Sequence, residues 1–561
     1  MKLLSISSLV TALLIAWAAP SRGETIVYQY PNSPLFFVLQ GKVTENKRDQ
    51  TVSVADAVVG STLYFPSDAV QVYKVDTVLQ EFNKKLGQAG RNADQLFQAA
   101  LWALKHGLIR DFHTAIGRVL EVDSRHAGAT RVAELKKSLE KQPPDSPDAE
   151  AALKKIAGRG AFRIQKSAHF LLATDTPAKA SGDRKKNRAA ERLDLMEKAY
   201  ESFLYWFHAH DLKLEPPKER LLAVLYNESG DYTEFARGVS GLSSEGHTGL
   251  FDRQRNVSVF FDQAGDGPTR DLKQTANKRR EDAAAAKKKR DATVTVTVRG
   301  ADLLEALAEM AQDGADAEAV SREVSRQLAF NTGLFAPGVE VPAWVENGLA
   351  RFFELPREAP WTGFGAPSEL RLAAYRALEK ASGAFGLEPL LGDQLSGLSE
   401  SYLAPTLSGT GGQGGGGGVG LGGAGGGGAR AGAFPGGADG GPPGAAPGGA
   451  PGAAGVGAGG SGVSNSNTSA EIVFSFGEAQ AWALTYHLME AHTKELIDFY
   501  RSLSGMRPDV PLNPEVLVAL FEKSLGQKPG DFDKEWRSAM RPVKSEVERI
   551  TGKSPLAATT K

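Results

Sequence analysis

The stretch SREVSRQLAFNTG, residues 321–333, has the spacing of a catalytic motif but not its residue types. Arg322 and Arg326 stand four residues apart, so on a helix they share a face, and Glu323 lies beside the first. With histidine at both positions the segment would read His-Glu-x-x-His, in which two imidazoles bind zinc and the glutamate is the general base. A guanidinium stays protonated and has no lone pair to donate, so this segment predicts no such zinc site.

The same residues also fit an ordinary amphipathic helix. Val320, Val324 and Leu328 form an apolar stripe at helical spacing, which would leave Arg322 and Glu323 on a solvated face. Both interpretations, a degenerate metal site and a charged surface helix, therefore remain open at this point.

The nine histidines offer no obvious replacement set of ligands. His208 and His210 would point apart on a helix, and in HLMEAH, residues 487–492, His487 shares a helical face with Glu490 while His492 lies off it. We therefore expect these histidines to be structural.

Composition limits the classes of function. The chain has 561 residues, which predicts several structural units. A net charge of -1 argues against a nucleic-acid partner. The absence of cysteine excludes disulfides, cysteine-ligated zinc and a cysteine nucleophile.

The N-terminus has the pattern of an export signal. Lys2 precedes an apolar run that is shorter than the roughly 20 residues of a membrane span. We predict a signal peptide over residues 1–23, a mature protein in the periplasm or outside the cell, and no membrane span after cleavage. An uncleaved anchor is the alternative.

Hydrophobic periodicity divides the remaining chain into an α+β protein. Period-2 alternation over residues 24–74 predicts a small SH3-like β-barrel, and residues 75–142 resemble a tetratricopeptide-type helical hairpin. Residues 160–355 mix strands and helices around a charged insert, 264–292, and TVTVTVRG, residues 293–300, alternates like a strand.

The last third of the chain is predicted to be helical around one insert. Residues 356–407 and 470–552 have helical spacing. Residues 408–463 are almost wholly Gly, Ala, Pro and Ser, a composition that predicts a disordered insert because it cannot bury enough apolar surface.

Several segments within residues 161–545 resemble an exported bacterial family of unknown function that has a peptidase MA-like, gluzincin-type domain. The resemblance lies in RQLAFNTGLF, VPAWVENGLARFF, QAWALTYHL and KEW, with HTGLFDRQRNVSVFF upstream. It implies a zincin-like α+β domain whose two histidine ligands correspond to Arg322 and Arg326. The third ligand, a glutamate, corresponds to Asn347, with Glu346 displaced by one residue, and only the base position, Glu323, is retained.

The resemblance with its altered ligands implies a catalytically inactive metallopeptidase-like protein, or pseudopeptidase. Such a protein would bind an extended peptide or an envelope protein, or act as a scaffold, and would use no cofactor, since zinc is expected only in members with an intact motif. The alternatives are a hydrolase that uses a non-standard site around Glu323 and a purely structural envelope protein. We further predict that an arginine of the motif pairs with a carboxylate across the old site, with Glu346 as the first candidate.

Overall fold

A computed structural model of the chain describes residues 23–30, 36–56, 62–158, 160–180, 184–239, 248–262, 267–291, 293–356, 363–380, 386–392, 476–508 and 510–554. The predicted signal peptide, apart from Gly23, and the predicted insert 408–463 lie outside these residues. Within them the chain is a mixed α+β protein, as its periodicity predicts. No helix in this part of the chain has both the length and the apolar character needed to cross a bilayer.

The N-terminal segment forms an open antiparallel sheet, so the predicted closed barrel is wrong. The strands are β1 (Glu24–Gln29), β2 (Phe36–Asn46), β3 (Thr51–Asp56), β4 (Thr62–Pro66) and β5 (Val70–Lys74). Their order is β4-β3-β2-β1-β5, so in the described residues β4 and β5 are opposite edges. Helices, rather than closure of the sheet into a barrel, bury its apolar face. Leu63 and Phe65 of the sheet share a buried cluster with the helical residues Leu272, Leu303 and Leu307. Period-2 patterning cannot distinguish these two ways of burying one face.

The segment predicted as one helical hairpin holds four helices, and a fifth follows. They are α1 (Val78–Ala89), α2 (Ala93–Lys105), α3 (Ile109–Val122), α4 (Ala127–Leu139) and α5 (Pro147–Ala157). The side chains of Thr77, Asn92 and Ser146 cap α1, α2 and α5 by accepting backbone hydrogen bonds. Phe112 of α3 packs against Tyr205 at a ring distance of 5.4 Å, so this segment shares the main hydrophobic core.

The second sheet is mixed and is covered on both faces. Its strands are β6 (Arg163–Lys166), β7 (Phe170–Thr174), β8 (Leu221–Tyr226), β9 (Gly249–Asp252) and β10 (Val257–Phe261), in the order β6-β7-β8-β10-β9. Strands β7, β8 and β10 are parallel, and the outer strands β6 and β9 are antiparallel to their neighbours. Helix α6 (Arg188–Ala209) connects β7 to β8, and α7 (Ser229–Arg237) follows β8. Burial on both faces explains the continuous apolar run of β8.

The longest helix, α9 (Val294–Asn331), carries the candidate site in its second half. The strand predicted for TVTVTVRG is wrong, because Val294 onwards is helical and packs along α8 (Gly267–Lys288). Val296 is 71% exposed, so the alternation there buries no face. Farther along, Leu303 and Leu307 pack under the N-terminal sheet, and this tertiary contact outweighs the strand propensity of the first turns.

In the described residues, eight C-terminal helices follow α9, and the first of them packs directly on its second half. They are α10 (Ala343–Phe353), α11 (Glu369–Lys380), α12 (Leu387–Leu391), α13 (Phe476–Ala491), α14 (Thr493–Ser504), α15 (Pro514–Leu525), α16 (Pro529–Met540) and α17 (Glu546–Thr551). Helices α10 and α13 approach closely at Gly348, where an added Cβ would lie 2.0 Å from the Thr485 hydroxyl. This close packing brings residues from distant parts of the chain to the same site.

Candidate functional site

The candidate site lies on the part of α9 that the core surrounds. Val320, Val324 and Leu328 are completely buried, as their apolar spacing predicts. Arg322 is only 5% exposed and Glu323 is completely buried, so the interpretation of these charges as a solvated helix face is wrong. Strands β9 and β10 and helices α6 and α10 contact α9, so few faces of its second half reach water.

Glu323 lies between the two arginines of the motif. Its Oε1 accepts a hydrogen bond from Arg322 Nε at 2.6 Å, and its Oε2 accepts one from Arg326 Nη1 at 2.9 Å. Strand β9 comes close enough that a Cβ on Gly249 would lie 3.3 Å from Glu323 Cγ. The carboxylate is therefore held by two cations against the backbone of the edge strand.

Helix α10 places Glu346 and Asn347 next to Arg326. The Asn347 Oδ1 accepts a hydrogen bond from Arg326 Nη2, and the Glu346 Oε1 lies 3.6 Å from Arg326 Nε. The ion pair expected between an arginine and Glu346 is therefore present, although 3.6 Å is too long for the bidentate hydrogen bonding that arginine can make. The long arginine side chain reaches both Asn347 and the preceding Glu346, and 30% of the Glu346 side chain remains exposed.

The arginines belong to a larger network that the sequence pattern does not reveal. Arg322 Nη1 lies 3.6 Å from Glu354, whose carboxylate also pairs with Arg351 at 2.5 Å and with Arg371. Arg351 reaches Glu478 of α13 at 2.6 Å, and Arg371 reaches Glu318 of α9 at 3.4 Å. Among these additional pairs, spacing could suggest only Arg351–Glu354, three residues apart across the end of α10, because the other partners are distant in the sequence. We call the nine residues Glu318, Arg322, Glu323, Arg326, Glu346, Arg351, Glu354, Arg371 and Glu478 the Arg–Glu network.

The carboxylates of the network differ in the direction of their pKa shifts. Burial alone would raise the pKa of Glu323, but Arg326 and Arg322 outweigh it and lower this pKa. Burial would also raise the pKa of Glu478, but Arg351 and Arg371 outweigh burial and lower this pKa to about 2. At Glu346 burial outweighs Arg326, so the pKa of that carboxyl is raised. Glu323 and Glu478 are thus fixed anions, while Glu346 holds a proton more readily.

This arrangement limits the chemistry available at the motif. Both oxygens of Glu323 accept hydrogen bonds from guanidinium groups, and its lowered pKa opposes the proton uptake that a general base requires. Arg322 and Arg326 have no lone pair for a metal ion, and Asn347 uses its oxygen to accept from Arg326. The residues at these positions therefore do not fit a zinc ion bound in the manner of His-Glu-x-x-His.

The histidines on α6 have structural partners. His208 Nε2 lies 2.9 Å from the Leu214 carbonyl oxygen, and His210 Nδ1 lies 2.8 Å from the Trp206 carbonyl oxygen. Burial is the main cause that lowers the pKa of each, so both are neutral at pH 7. Neither histidine contributes to the Arg–Glu network.

The described fold and site define a mixed α+β protein built around a buried Arg–Glu network. A family model described as "Protein of unknown function (DUF1570)" matches residues 316–388, which run from the second half of α9 into α12. The matched part contains Arg322, Glu323, Arg326, Glu346 and Asn347. No curated protein and no solved structure matches the chain.

Proposed function

We propose that the protein is an exported, catalytically inactive metallopeptidase-like protein that binds an extended peptide segment of another protein. The observation that carries the proposal is the buried Glu323 carboxylate held between Arg322 and Arg326. The arrangement preserves the spacing of a zinc helix while replacing the metal by two cationic side chains. It supports a protein that has kept the cleft of a peptidase and lost its chemistry.

The edge of the mixed sheet supports peptide binding. Within the described residues β9 pairs with β10 alone, so in this part of the chain no strand occupies its other side. Extended peptides bind to such edges through backbone hydrogen bonds, with side-chain contacts supplying specificity. Beside this edge Phe251 stacks on Phe330 at 5.9 Å, and the Arg253 guanidinium lies 4.1 Å from the same ring centre. These groups offer apolar and cationic contacts to a peptide lying along β9.

The link between the edge strand and the motif supports a shared role. Arg322 Nη2 donates a hydrogen bond of 3.1 Å to the Thr248 hydroxyl, directly before β9. The cation that occupies a former ligand position therefore also holds the start of the binding edge. In this proposal the Arg–Glu network keeps the cleft ordered, a task that the metal performs in an active enzyme.

The alternatives are a hydrolase and a structural envelope protein. A hydrolase around Glu323 needs that carboxylate as a base, and its two guanidinium partners oppose this role. A purely structural protein would need no peptide-binding edge. Binding and cleavage measurements therefore distinguish all three functions.

A single fluorescent label gives a direct test, because the chain has no cysteine. Gln254→Cys places the label in the exposed turn after β9, and Lys278→Cys places it on the exposed side of α8 as a matched control. Reduced, carboxymethylated casein, added to each labelled protein, should change the fluorescence at position 254 saturably and leave position 278 unaffected. The casein should remain uncleaved on an electrophoresis gel.

Two outcomes would contradict the proposal. Cleavage of casein by the wild-type protein that is abolished in Glu323→Gln protein shown by circular dichroism to be folded would establish the hydrolase. The lack of a saturable response with casein and with a random-sequence decapeptide library would favour the structural protein.

A further inference from the structure

A second cluster of chemically capable side chains lies at the C-terminal end of α13. His487 on α13, His492 in the link to α14 and Glu535 on α16 bring one ligand atom each to within 4.8 Å of the others. The His492 Nε2 lies 2.8 Å from Glu535 Oε1, and the His487 Nε2 lies 3.7 Å from the same oxygen. Two imidazole nitrogens and one carboxylate oxygen thus converge on one point.

We propose that His487, His492 and Glu535 bind a divalent transition-metal ion of the zinc type. Two histidines and one glutamate are a ligand set that zinc accepts, with water or a further ligand in the fourth position. Three such side chains on three separate elements require the fold to assemble them, which distinguishes them from acidic residues scattered over a surface.

The unpaired Nε2 of His487 is an independent indication that an ion binds here. His487 is 7% exposed, and its Nε2 has no hydrogen-bond partner in the described residues. Its distance of 3.7 Å to Glu535 is too long for a hydrogen bond. A buried polar atom without a partner is costly, and an ion at the centre of the cluster would satisfy it.

The distances suit a small metal ion. Two ligand atoms at about 2.1 Å from zinc with a tetrahedral angle lie roughly 3.4 Å apart. The observed separations of 3.7 Å and 2.8 Å bracket this value, so small side-chain rotations would suffice. The metal would replace the direct hydrogen bond between His492 and Glu535 by two bonds to the ion.

The surroundings favour the ligand forms of these side chains. Burial is the main cause that lowers the pKa of His487, and the neighbouring His492 adds to it. Glu535 Oε2 and the Phe532 backbone N–H each lie 3.2 Å from the Gln527 amide group, and the amide orientation that satisfies both donates its nitrogen to Oε2 and accepts from Phe532 on its oxygen. The Phe532 ring lies 5.7 Å from the His487 ring and 5.4 Å from the His492 ring, which makes one wall apolar. Partners that orient ligands in this way are typical of metal sites.

The helical-wheel expectation that separated His487 from His492 is wrong for a local reason. Helix α13 ends at Ala491, and His492 has φ -133° and ψ 37°, outside helical geometry. Its side chain therefore does not follow the angular spacing of residues 487–491. A helix end at that position, together with α16 packed against it, is information that spacing alone does not contain.

The proposed site is separate from the Arg–Glu network. Glu478 and His487 both lie on α13, nine residues and therefore about 13 Å apart along its axis. The Glu535 side chain is 40% exposed and that of His492 is 25% exposed, so an ion can enter from solvent. Bound there, it would tie α13, the start of α14 and α16 together.

Zinc and cobalt binding to the tag-free full chain test the proposal. Equilibrium dialysis with ZnCl2 should give one tight site per chain, and Co2+ should give the intense visible absorption of a tetrahedral N/O site that Zn2+ then removes. His487→Gln, His492→Gln and Glu535→Gln should each weaken zinc binding by at least about tenfold, the smallest loss typical of even outer-sphere partners. Asp531→Asn, which removes the same charge from the same helix, and His113→Gln are the controls and should bind like the wild-type chain.

Glu535→Gln keeps the test independent of folding, because this side chain is partly exposed. Lack of saturable one-to-one binding by the folded wild-type chain would overturn the proposal. So would zinc binding that survives all three substitutions, which would indicate adventitious surface ligands. Arg322 and Arg326 are unchanged in every variant, so neither result bears on the proposed peptide binding.

Discussion

Arg326 and Glu323 lie three residues apart on α9 and form an ion pair of 2.9 Å, in which the Glu323 carboxylate is completely buried. Arg322 completes the arrangement at 2.6 Å on the other oxygen. A buried ion pair adds little net stability when its desolvation is counted, but loss of one partner leaves an unpaired buried charge. The pair is therefore best regarded as a unit whose members cannot be removed singly.

Glu323→Gln should destabilise the protein by about 3 to 5 kcal/mol. The substitution keeps the shape of the side chain but leaves Arg322 and Arg326 without the anion that both contact. The free energy of unfolding, measured with urea, gives the loss. The control is Asp498→Asn. Asp498 pairs with Arg501 at 2.9 Å, and both side chains are about half exposed. Loss of this exposed pair should change the free energy of unfolding by only about 0 to 1 kcal/mol.

A combined substitution separates charge from packing. In Arg322→Met with Glu323→Leu and Arg326→Met, apolar side chains of similar size replace all three charges, so most of the stability lost in Glu323→Gln should return. A combined variant that is less stable than the single one would show that packing, and not an uncompensated charge, causes the loss.

Acid should destabilise the protein partly through Glu478. Its pKa is about 2 in the folded protein against 4.5 as the ordinary value, because Arg351 and Arg371 outweigh the effect of burial. The unfolded chain therefore binds more protons in this range, so the stabilisation is complete above pH 4.5 and is lost as the pH falls towards 2. The shift corresponds to roughly 3 kcal/mol at most.

Urea unfolding of Glu478→Gln between pH 6 and pH 2.5 tests this dependence. The variant should be less stable than the wild-type chain near pH 6, and its stability should fall less steeply with acid. Glu515→Gln, an exposed glutamate on α15, is the control and should keep the wild-type slope. An unchanged slope in Glu478→Gln would contradict the assigned role of the arginines.

Periodicity predicted the elements that follow a local rule. The stripe of Val320, Val324 and Leu328 is buried as expected. The ion pair of Glu346 with Arg326 could be predicted because helix geometry and the length of an arginine side chain limit the possible partners. Tertiary contacts decided the cases that spacing misjudged, since the Val294 segment extends α9 rather than forming a strand.

The wider site could not be predicted from spacing, because its residues converge from distant segments. Arg351 and Glu478 are 127 positions apart, yet their side chains meet at 2.6 Å. The meeting depends on how α10 packs on α13, including the close approach at Gly348. No local pattern around Glu478 indicates that contact.

Deletion of most of residues 408–463 should leave the melting temperature nearly unchanged. The expectation rests on composition, since the tract is almost wholly Gly, Ala, Pro and Ser, and on the slow growth of loop-closure cost, about 0.6 kcal/mol per doubling of length. Helices α12 and α13, on either side of the tract, contribute Leu391 and Trp482 to the same buried core without it. Calorimetry of the shortened chain gives the answer, and a large fall in melting temperature would mean that the tract packs against the rest of the protein.

Creation of a zinc site at the motif should require three substitutions and not two. Arg322→His with Arg326→His supplies the two imidazoles four residues apart, but Asn347 offers only a neutral amide oxygen where a carboxylate is needed. Asn347 already touches position 326 through its Oδ1, so Asn347→Glu would bring a carboxylate to the same place. The measurement is zinc affinity by competition with a chelator, in a His487→Gln background that removes the second candidate site. We expect weak binding by the two-histidine variant and a large gain on addition of Asn347→Glu, whereas Glu346→Gln added to the same pair should give none. Tight binding by the two-histidine variant alone would contradict the assignment of position 347, because another side chain, with Glu346 the nearest carboxylate on α10, would then be acting as the third ligand.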